Sequence, residues 1–194
     1  MVAPDWDSSD YFQHEDYGNL FALMGRSEYS TGLCADYRSY LGWYPEARKQ
    51  KIDDFGSYDV TLYPVDSPTG TIAVEIRLPF QVNELFNDPD TMYLNRGYFL
   101  EIRSAAVKWD SGLEHEQIIG NTQGIMITYN DGFTSYLLDA SPSPYLVYDW
   151  GSIPDKRDVV LKDGQQFATP DLKIDCASRA DSGFDVTIEL VENW

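Results

Sequence analysis

The stretch FDVTIELV, residues Phe184–Val191, decides the fold of this sequence. Apolar side chains alternate with polar ones along it, so that Phe, Val, Ile and Leu fall on one face and Asp, Thr and Glu on the other. A period of two residues is typical of a strand that buries one face and exposes the other. The sequence therefore predicts a β-strand here, and the same signal recurs along most of the chain.

Seven further stretches upstream have strand-like composition, and turn residues separate them. They are DVTLYPV (59–65), GTIAVEIRL (70–78), GYFLEIRS (97–104), GIMITY (124–129), TSYLLD (134–139), DVVLK (158–162) and LKIDC (172–176). The turn DSPTG at 66–70 predicts a hairpin between the first two, and Asn130-Asp131-Gly132 predicts another between 124–129 and 134–139. So many short strands predict a β-sandwich-like architecture.

One short helix is expected before the strands, over Leu33–Trp43. Leu33, Tyr37 and Leu41, with Tyr40 beside them, share one face at helical spacing, and Gly42 is suited to end the helix. The chain is therefore predicted to be mainly β with a short helix. We divide it into residues 1–55, which contain the helix, and a β-rich sandwich-like domain at 56–194.

The composition excludes several classes of partner. The 194 residues carry a formal net charge of −18, and so acidic a surface repels phosphate backbones, which argues against nucleic acid. No apolar run approaches the roughly 18 residues of a membrane span. The N-terminus MVAPDWD has neither the basic nor the apolar region of a signal peptide, so we expect none in this chain.

Two cysteines, Cys34 and Cys176, lie far apart in the sequence. They permit one disulfide without requiring it, and two separately buried thiols are the alternative. Asp88 and Asp90, in the loop NDPD at 87–90, supply hard oxygen ligands that suit calcium, but the loop does not match an EF-hand. A solvated turn is the simpler interpretation of that loop.

Four regions carry motifs beyond the strand pattern. They are YGNLFALMG (17–25) with YRSYLGW (37–43), GYFLEIR (97–103) with WDSGL (109–113), GIMI (124–127) with LLDASP (137–142), and LKDGQQF (161–167) with the final strand. In this order and spacing they resemble the part of secreted zinc peptidases of the gametolysin and immune inhibitor A type that follows the zinc-binding helix.

The resemblance implies a remnant of a metzincin-like C-terminal subdomain followed by a β-sandwich-like domain, and an extracellular location. Met24 and Gly25 match the Met-turn, which in such enzymes forms an apolar floor beneath the zinc ligands. His14 lies near the place of the family's third zinc ligand, although an exposed polar residue in an acidic stretch is the simpler interpretation. His115, between two glutamates, is interpreted as part of a solvated loop.

The chain departs from the family at the catalytic motif. These peptidases bind zinc through HExxH on a helix, and the two histidines of this chain, His14 and His115, stand in no such motif. We therefore expect a C-terminal portion of a gametolysin-like zinc endopeptidase that is not catalytic by itself. No cofactor is expected in this chain, and zinc would require an upstream helix.

The alternative is a stand-alone, non-catalytic β-rich module that binds protein or glycan through exposed aromatic rings. Glu101 and Arg103 alternate with apolar residues on one predicted strand. They suit either the border of a former substrate cleft or, as we favour, an ordinary surface pair.

Overall fold

The computed structural model describes residues 33–78, 97–104, 124–130, 135–138, 140 and 159–192. Within them the chain is mainly β, with two sheets, one short helix and a single 3-10 turn. The elements in order are α1 (Ala35–Tyr40), the 3-10 turn (Glu46–Arg48), β1 (Lys49–Ile52), β2 (Gly56–Leu62), β3 (Ala73–Arg77), β4 (Gly97–Glu101), β5 (Met126–Asn130), β6 (Ser135–Leu138), β7 (Gln166–Ala168), β8 (Leu172–Ser178) and β9 (Phe184–Leu190). The predicted fold class, mainly β with a short helix, is confirmed.

The first sheet has the order β1-β3-β4-β5-β6, and all its pairings are antiparallel except that of β1 with β3. The second sheet has the order β2-β9-β8-β7 and is antiparallel throughout. The predicted strands at 97–104, 172–176 and 184–191 are confirmed as β4, β8 and β9. The pairing expected between 124–129 and 134–139 is confirmed as β5 with β6.

One predicted hairpin is wrong. The strands expected at 59–65 and 70–78 are β2 and β3, but β2 pairs with β9 and β3 pairs with β1 and β4. The chain does turn between them, and Leu62 and Thr71 meet in a single parallel bridge. Turn residues predict that the chain reverses, but they do not determine which strands pair.

A shared apolar core joins the two sheets. Ile76, Leu100 and Ile127 of the first sheet and Ile174 and Ile188 of the second belong to one buried cluster. The rings of Tyr98 on β4 and Phe167 on β7 meet edge to face with centroids 6.4 Å apart. These contacts give the first sheet an inner face toward the second sheet and an outer face on its other side.

The first sheet is buried on both faces along its central strands, since every residue of β4 and all but the last of β3 are buried. Its outer face carries polar and charged residues, and α1 lies against it. The predicted boundary between residues 55 and 56 falls between β1 and β2, while β1 pairs with β3 beyond it. The division into two parts stays a prediction. Within the described residues, no helix has the length and apolar character needed to cross a membrane.

Candidate functional site

Helix α1 is fixed to the outer face of the first sheet by three polar side chains, each of which bonds a different strand. The Asn130 amide on β5 donates to Asp36 Oδ2 at 3.0 Å. Arg38 donates to Glu101 on β4 at 3.3 Å, and the Ser39 hydroxyl donates to Glu75 on β3 at 2.9 Å. The helix therefore crosses three neighbouring strands and is tied to each of them.

Glu101 is the centre of a buried cluster of charged residues. Its Oε2 accepts from Arg38 at 3.3 Å and from the Tyr44 hydroxyl at 2.7 Å. Its Oε1 accepts from Arg103 at 3.1 Å. Arg103 also donates to the carbonyl oxygen of Leu33 at 3.1 Å, which ties the chain entering α1 to the same cluster. Both carboxylate oxygens of Glu101 are thus paired.

The burial of this cluster corrects the expectation of a surface pair. Glu101 is 0% exposed and Arg103 is 1% exposed, so neither is an ordinary surface residue. Strand alternation indicates two faces but does not reveal that α1 covers the polar one. A charge buried in this way costs several kcal/mol unless it is paired and hydrogen-bonded, which Glu101 achieves with two arginines and a tyrosine.

Tyr44 acts in this cluster as a hydrogen-bond donor. Its side chain is buried, and burial followed by the negative charge of Glu101 raises its pKa well above the ordinary value. The hydroxyl therefore stays protonated across the usual pH range and donates a hydrogen bond to Glu101. Nothing in this arrangement is suited to a tyrosinate base, and the role of Tyr44 is to hold the carboxylate in place.

A second charged cluster lies beside the first, around Glu75. Glu75 accepts from Ser39, and Lys49 and Arg77 lie 3.2 and 2.9 Å from its carboxylate oxygens. Burial raises the pKa of Glu75, but the hydrogen bonds from Ser39 and Arg77 and the charges of Arg77 and Lys49 outweigh it, so the pKa lies below its ordinary value. Glu75 is thus held ionised against α1.

An open cavity of about 320 Å³ lies between α1 and these residues. The residues that line it carry balanced charge, and they are Asp36, Ser39, Tyr40, Glu46, Lys49, Lys51, Glu75, Arg77, Phe99 and Asn130. Each of its three cationic side chains lies within 3.2 Å of a carboxylate oxygen. The cavity is polar and internally neutralised, and it is a sheltered surface rather than an assembled catalytic centre.

Among the side chains that the structure describes, two buried oxygens in this region have no hydrogen-bond partner, Asp36 Oδ1 and Thr128 Oγ1. Both residues are almost fully buried. An unpaired buried oxygen costs roughly 1–3 kcal/mol, so the polar layer beneath α1 is incompletely satisfied. This layer is therefore held together less tightly than the apolar core on the other side of the sheet.

The apolar face predicted for α1 is only partly covered, with Leu33 and Tyr37 half-buried and its C-terminal residues exposed. Of the face predicted from the sequence, Tyr40 is 46% exposed and Leu41 is 48% exposed, and the adjoining Trp43 is 63% exposed. The buried residues of the helix are Ala35, Asp36 and Arg38. The helix thus departs from the usual arrangement of a surface helix, because two polar side chains face the sheet while Tyr40 and Leu41 are exposed.

Gly42 ends the helix as the sequence predicts. Its φ is +68°, in the left-handed region that favours glycine. The Gly42 amide donates to the Ser39 carbonyl at 3.1 Å and the Trp43 amide donates to the Arg38 carbonyl at 2.8 Å. This is the hydrogen-bond pattern of a Schellman cap. The helix itself is shorter than the predicted stretch and covers Ala35–Tyr40.

The structure has Cys34 and Cys176 as two free, separately buried thiols, which is the second of the two arrangements that the sequence left open. Cys34 precedes α1, and its Sγ lies 3.7 Å from Ser135 Oγ. Burial and then the charge of Asp36 raise the pKa of the Cys34 thiol far above its ordinary value. The thiol is close to Asp36 but makes no hydrogen bond of good geometry to Asp36 Oδ1. Cys176 donates to the Lys162 carbonyl at 3.1 Å, and burial raises its pKa to about 11.

The other predicted site residues lie outside the described part of the chain. They are the Met-turn-like Met24 and Gly25, the candidate zinc ligand His14, the candidate calcium ligands Asp88 and Asp90, and also His115. Among the residues that the structure does describe, no group of three or more His, Cys, Asp or Glu side chains is arranged to hold a metal ion. The metal predictions stay predictions.

Sequence reasoning missed the buried polar residues Asp36, Arg38, Glu75 and Asn130 and the half-buried Lys49. One signal was present for Glu75 and Glu101, because each is the single acidic residue of a mostly apolar strand, AVEIR and GYFLE. A lone carboxylate in such a run requires a partner when both faces of the sheet are covered. The identity of that partner does not follow from the pattern.

Comparisons with known proteins give no relative for this chain. No protein-family model matches it, and neither a curated protein nor a solved structure does. The interpretation of the site therefore depends on its own geometry and on the sequence motifs.

The two free thiols predict the outcome of a thiol titration. In guanidinium without reductant, we expect two thiols per chain to react with a chromogenic disulfide, because neither cysteine is paired. In the folded protein both should react much more slowly than free cysteine, since burial keeps them protonated and covered. A count of zero in guanidinium would show a disulfide and contradict this arrangement.

Proposed function

We propose that this chain is the non-catalytic part of a secreted, gametolysin-like zinc endopeptidase. In this proposal the segment with Met24 and Gly25 supplies a Met-turn-like floor, α1 joins that floor to the sheets, and the β-rich part trails behind. The zinc-binding HExxH helix would be encoded upstream or on a separate chain, because neither His14 nor His115 stands in that motif. Calcium at Asp88 and Asp90 is a further proposal of the same kind.

The observation that carries this proposal is the contact between segments that resemble the family. Arg38, in the stretch Tyr37–Trp43, bonds Glu101, in the stretch Gly97–Arg103, although 63 residues separate them. The latter stretch contains β4, which pairs with β5, and β5 begins within the GIMI motif at Met126. Ile125 of that motif forms a bridge with Leu161, where the LKDGQQF motif begins.

The described parts of all four motif regions thus form one connected structure. The polar outer face also suits the proposal, because it gives a six-residue helix a defined seat on a rigid sheet. While α1 is docked, a segment attached to it would be held near the outer face of the first sheet.

The coding sequence upstream of Met1 tests the proposal most directly. Sequencing the complete transcript should reveal an in-frame HExxH shortly before the Met1 codon, or a co-expressed chain that carries one. The isolated 194-residue chain, incubated with zinc and dialysed, should retain no stoichiometric zinc in elemental analysis and should not cleave casein.

Two outcomes would count against the proposal. One is a transcript that starts at Met1 together with the absence of any HExxH-bearing chain that copurifies with this protein. The other is an isolated chain that binds one zinc per molecule and hydrolyses peptides, since its own residues would then form the catalytic site that we place elsewhere.

A second candidate function is a stand-alone module that binds protein or glycan. The observation that favours it is the exposure of the Tyr40 and Trp43 rings at one end of α1, since exposed aromatic rings suit stacking on sugars or contact with a protein surface. In glycan-array and pull-down experiments the wild-type chain should then retain a ligand that Trp43→Ala loses at least about tenfold. Phe167→Leu is the matched control, and equal retention by wild type and Trp43→Ala would exclude this surface.

A further inference from the structure

The attachment of α1 is mainly polar. In the part of the chain that the structure describes, Asp36 bonds Asn130, Arg38 bonds Glu101, and Ser39 bonds both Glu75 and Lys49. Among the described residues, the helix contributes only Ala35 to the small apolar cluster beneath it, which otherwise consists of Tyr44, Ile72, Ala73 and Phe99. No residue of α1 belongs to the larger core cluster between the sheets.

Undocking α1 from the sheet and opening the apolar core cost free energy for different reasons. If α1 leaves the sheet, Arg38, Asp36 and Glu75 regain water as a partner, which offsets the loss of their mutual bonds. The apolar surface that becomes exposed is limited to Cys34, Ala35 and the small cluster beneath them, because Tyr40 and Leu41 are already about half exposed. Opening the core would instead expose many fully buried aliphatic side chains, each worth about 1.5–3 kcal/mol.

The ends of α1 define the segment that can move. We use "strap" for residues 34–43, from the residue before the helix to the end of its cap. Gly42 has φ +68°, in the left-handed region that glycine adopts without strain, and its backbone is freer to rotate than that of other residues. Beyond it, the Tyr44 hydroxyl is anchored on Glu101 at 2.7 Å.

We propose that the strap undocks from the outer face of the first sheet as a unit while the two-sheet core stays folded. Segments with few buried apolar contacts and an incompletely satisfied polar layer open at lower free energy than core strands. The unpartnered Asp36 Oδ1 and Thr128 Oγ1 lie in this layer and favour the open state, because water satisfies them there. The strap is thus a built-in conformational device, and it does not depend on the proposed function.

The two cysteines report the two kinds of opening separately. Cys34 lies in the strap and is 1% exposed, whereas Cys176 lies on β8 and is 6% exposed. A buried thiol reacts with a maleimide only when its surroundings open. Labelling the folded full chain over time, with digestion and mass spectrometry, therefore measures strap opening at Cys34 and core opening at Cys176.

We expect Cys34 to be labelled about 100-fold or more faster than Cys176 once each rate is divided by that of the unfolded chain. Its rate should also depend more weakly on urea, since strap opening exposes less surface than global unfolding. Arg38→Ala should raise the Cys34 rate about tenfold or more, because it removes a bond that only the docked strap makes. The Cys176 rate should rise by no more than the same factor, so that Cys34 stays the faster thiol.

Leu41→Ala is the matched control. Its side chain is on the outward side of the strap, so the truncation should change the Cys34 rate by less than about twofold. The proposal is overturned if Cys34 and Cys176 react at one common rate with the same dependence on urea. It is also overturned if Leu41→Ala accelerates Cys34 as much as Arg38→Ala does, since α1 would then be held by apolar packing.

Discussion

The carboxylate of Glu101 is the constraint on which the arrangement of this molecule depends. It is fully buried on the outer face of a sheet whose inner face already forms the core. A carboxylate in that position must be paired, and its partners come from three places in the chain: Arg38 of α1, Tyr44 after it, and Arg103 of its own strand end. Pairing Glu101 therefore determines where the helix lies.

The orientation of α1 follows from that requirement. With Arg38 directed toward Glu101, Asp36 and Ser39 lie over β5 and β3, and the aromatic side of the helix is left in solvent. The hydrophobic effect alone would favour the opposite orientation, with Tyr40 and Leu41 inward. Electrostatic pairing prevails here because leaving a buried carboxylate without partners costs more than exposing two half-buried side chains.

The β architecture was largely predictable because it follows from local patterns. The alternation along β9 and β8 and the turn signal between β5 and β6 correspond to observed elements. Strand partners were harder to predict, and the expected hairpin of β2 with β3 was wrong because each strand finds its partner elsewhere in the chain. β1, with the sequence KQKI, was missed because its charged residues lie on the polar outer face and give no apolar alternation.

The candidate site was less predictable than the fold. Alternation marks two faces of a strand, but only tertiary contacts reveal that both faces are covered, which is why Glu101 and Arg103 were assigned to the surface. The helix was expected for the spacing of its apolar residues, yet the residues that hold it are the polar ones between them. Gly42 was predictable because a left-handed cap has a strong local preference for glycine.

A double-mutant cycle on Arg38 and Glu101 tests most directly whether their pairing holds α1 in place. The free energy of unfolding in urea would be compared for wild type, Arg38→Ala, Glu101→Gln and the double variant, with Glu46→Gln as the exposed control. The account predicts a coupling of about 1–3 kcal/mol between the two sites and a loss of roughly 3–5 kcal/mol for Glu101→Gln alone. Additive effects within about 0.5 kcal/mol would contradict it.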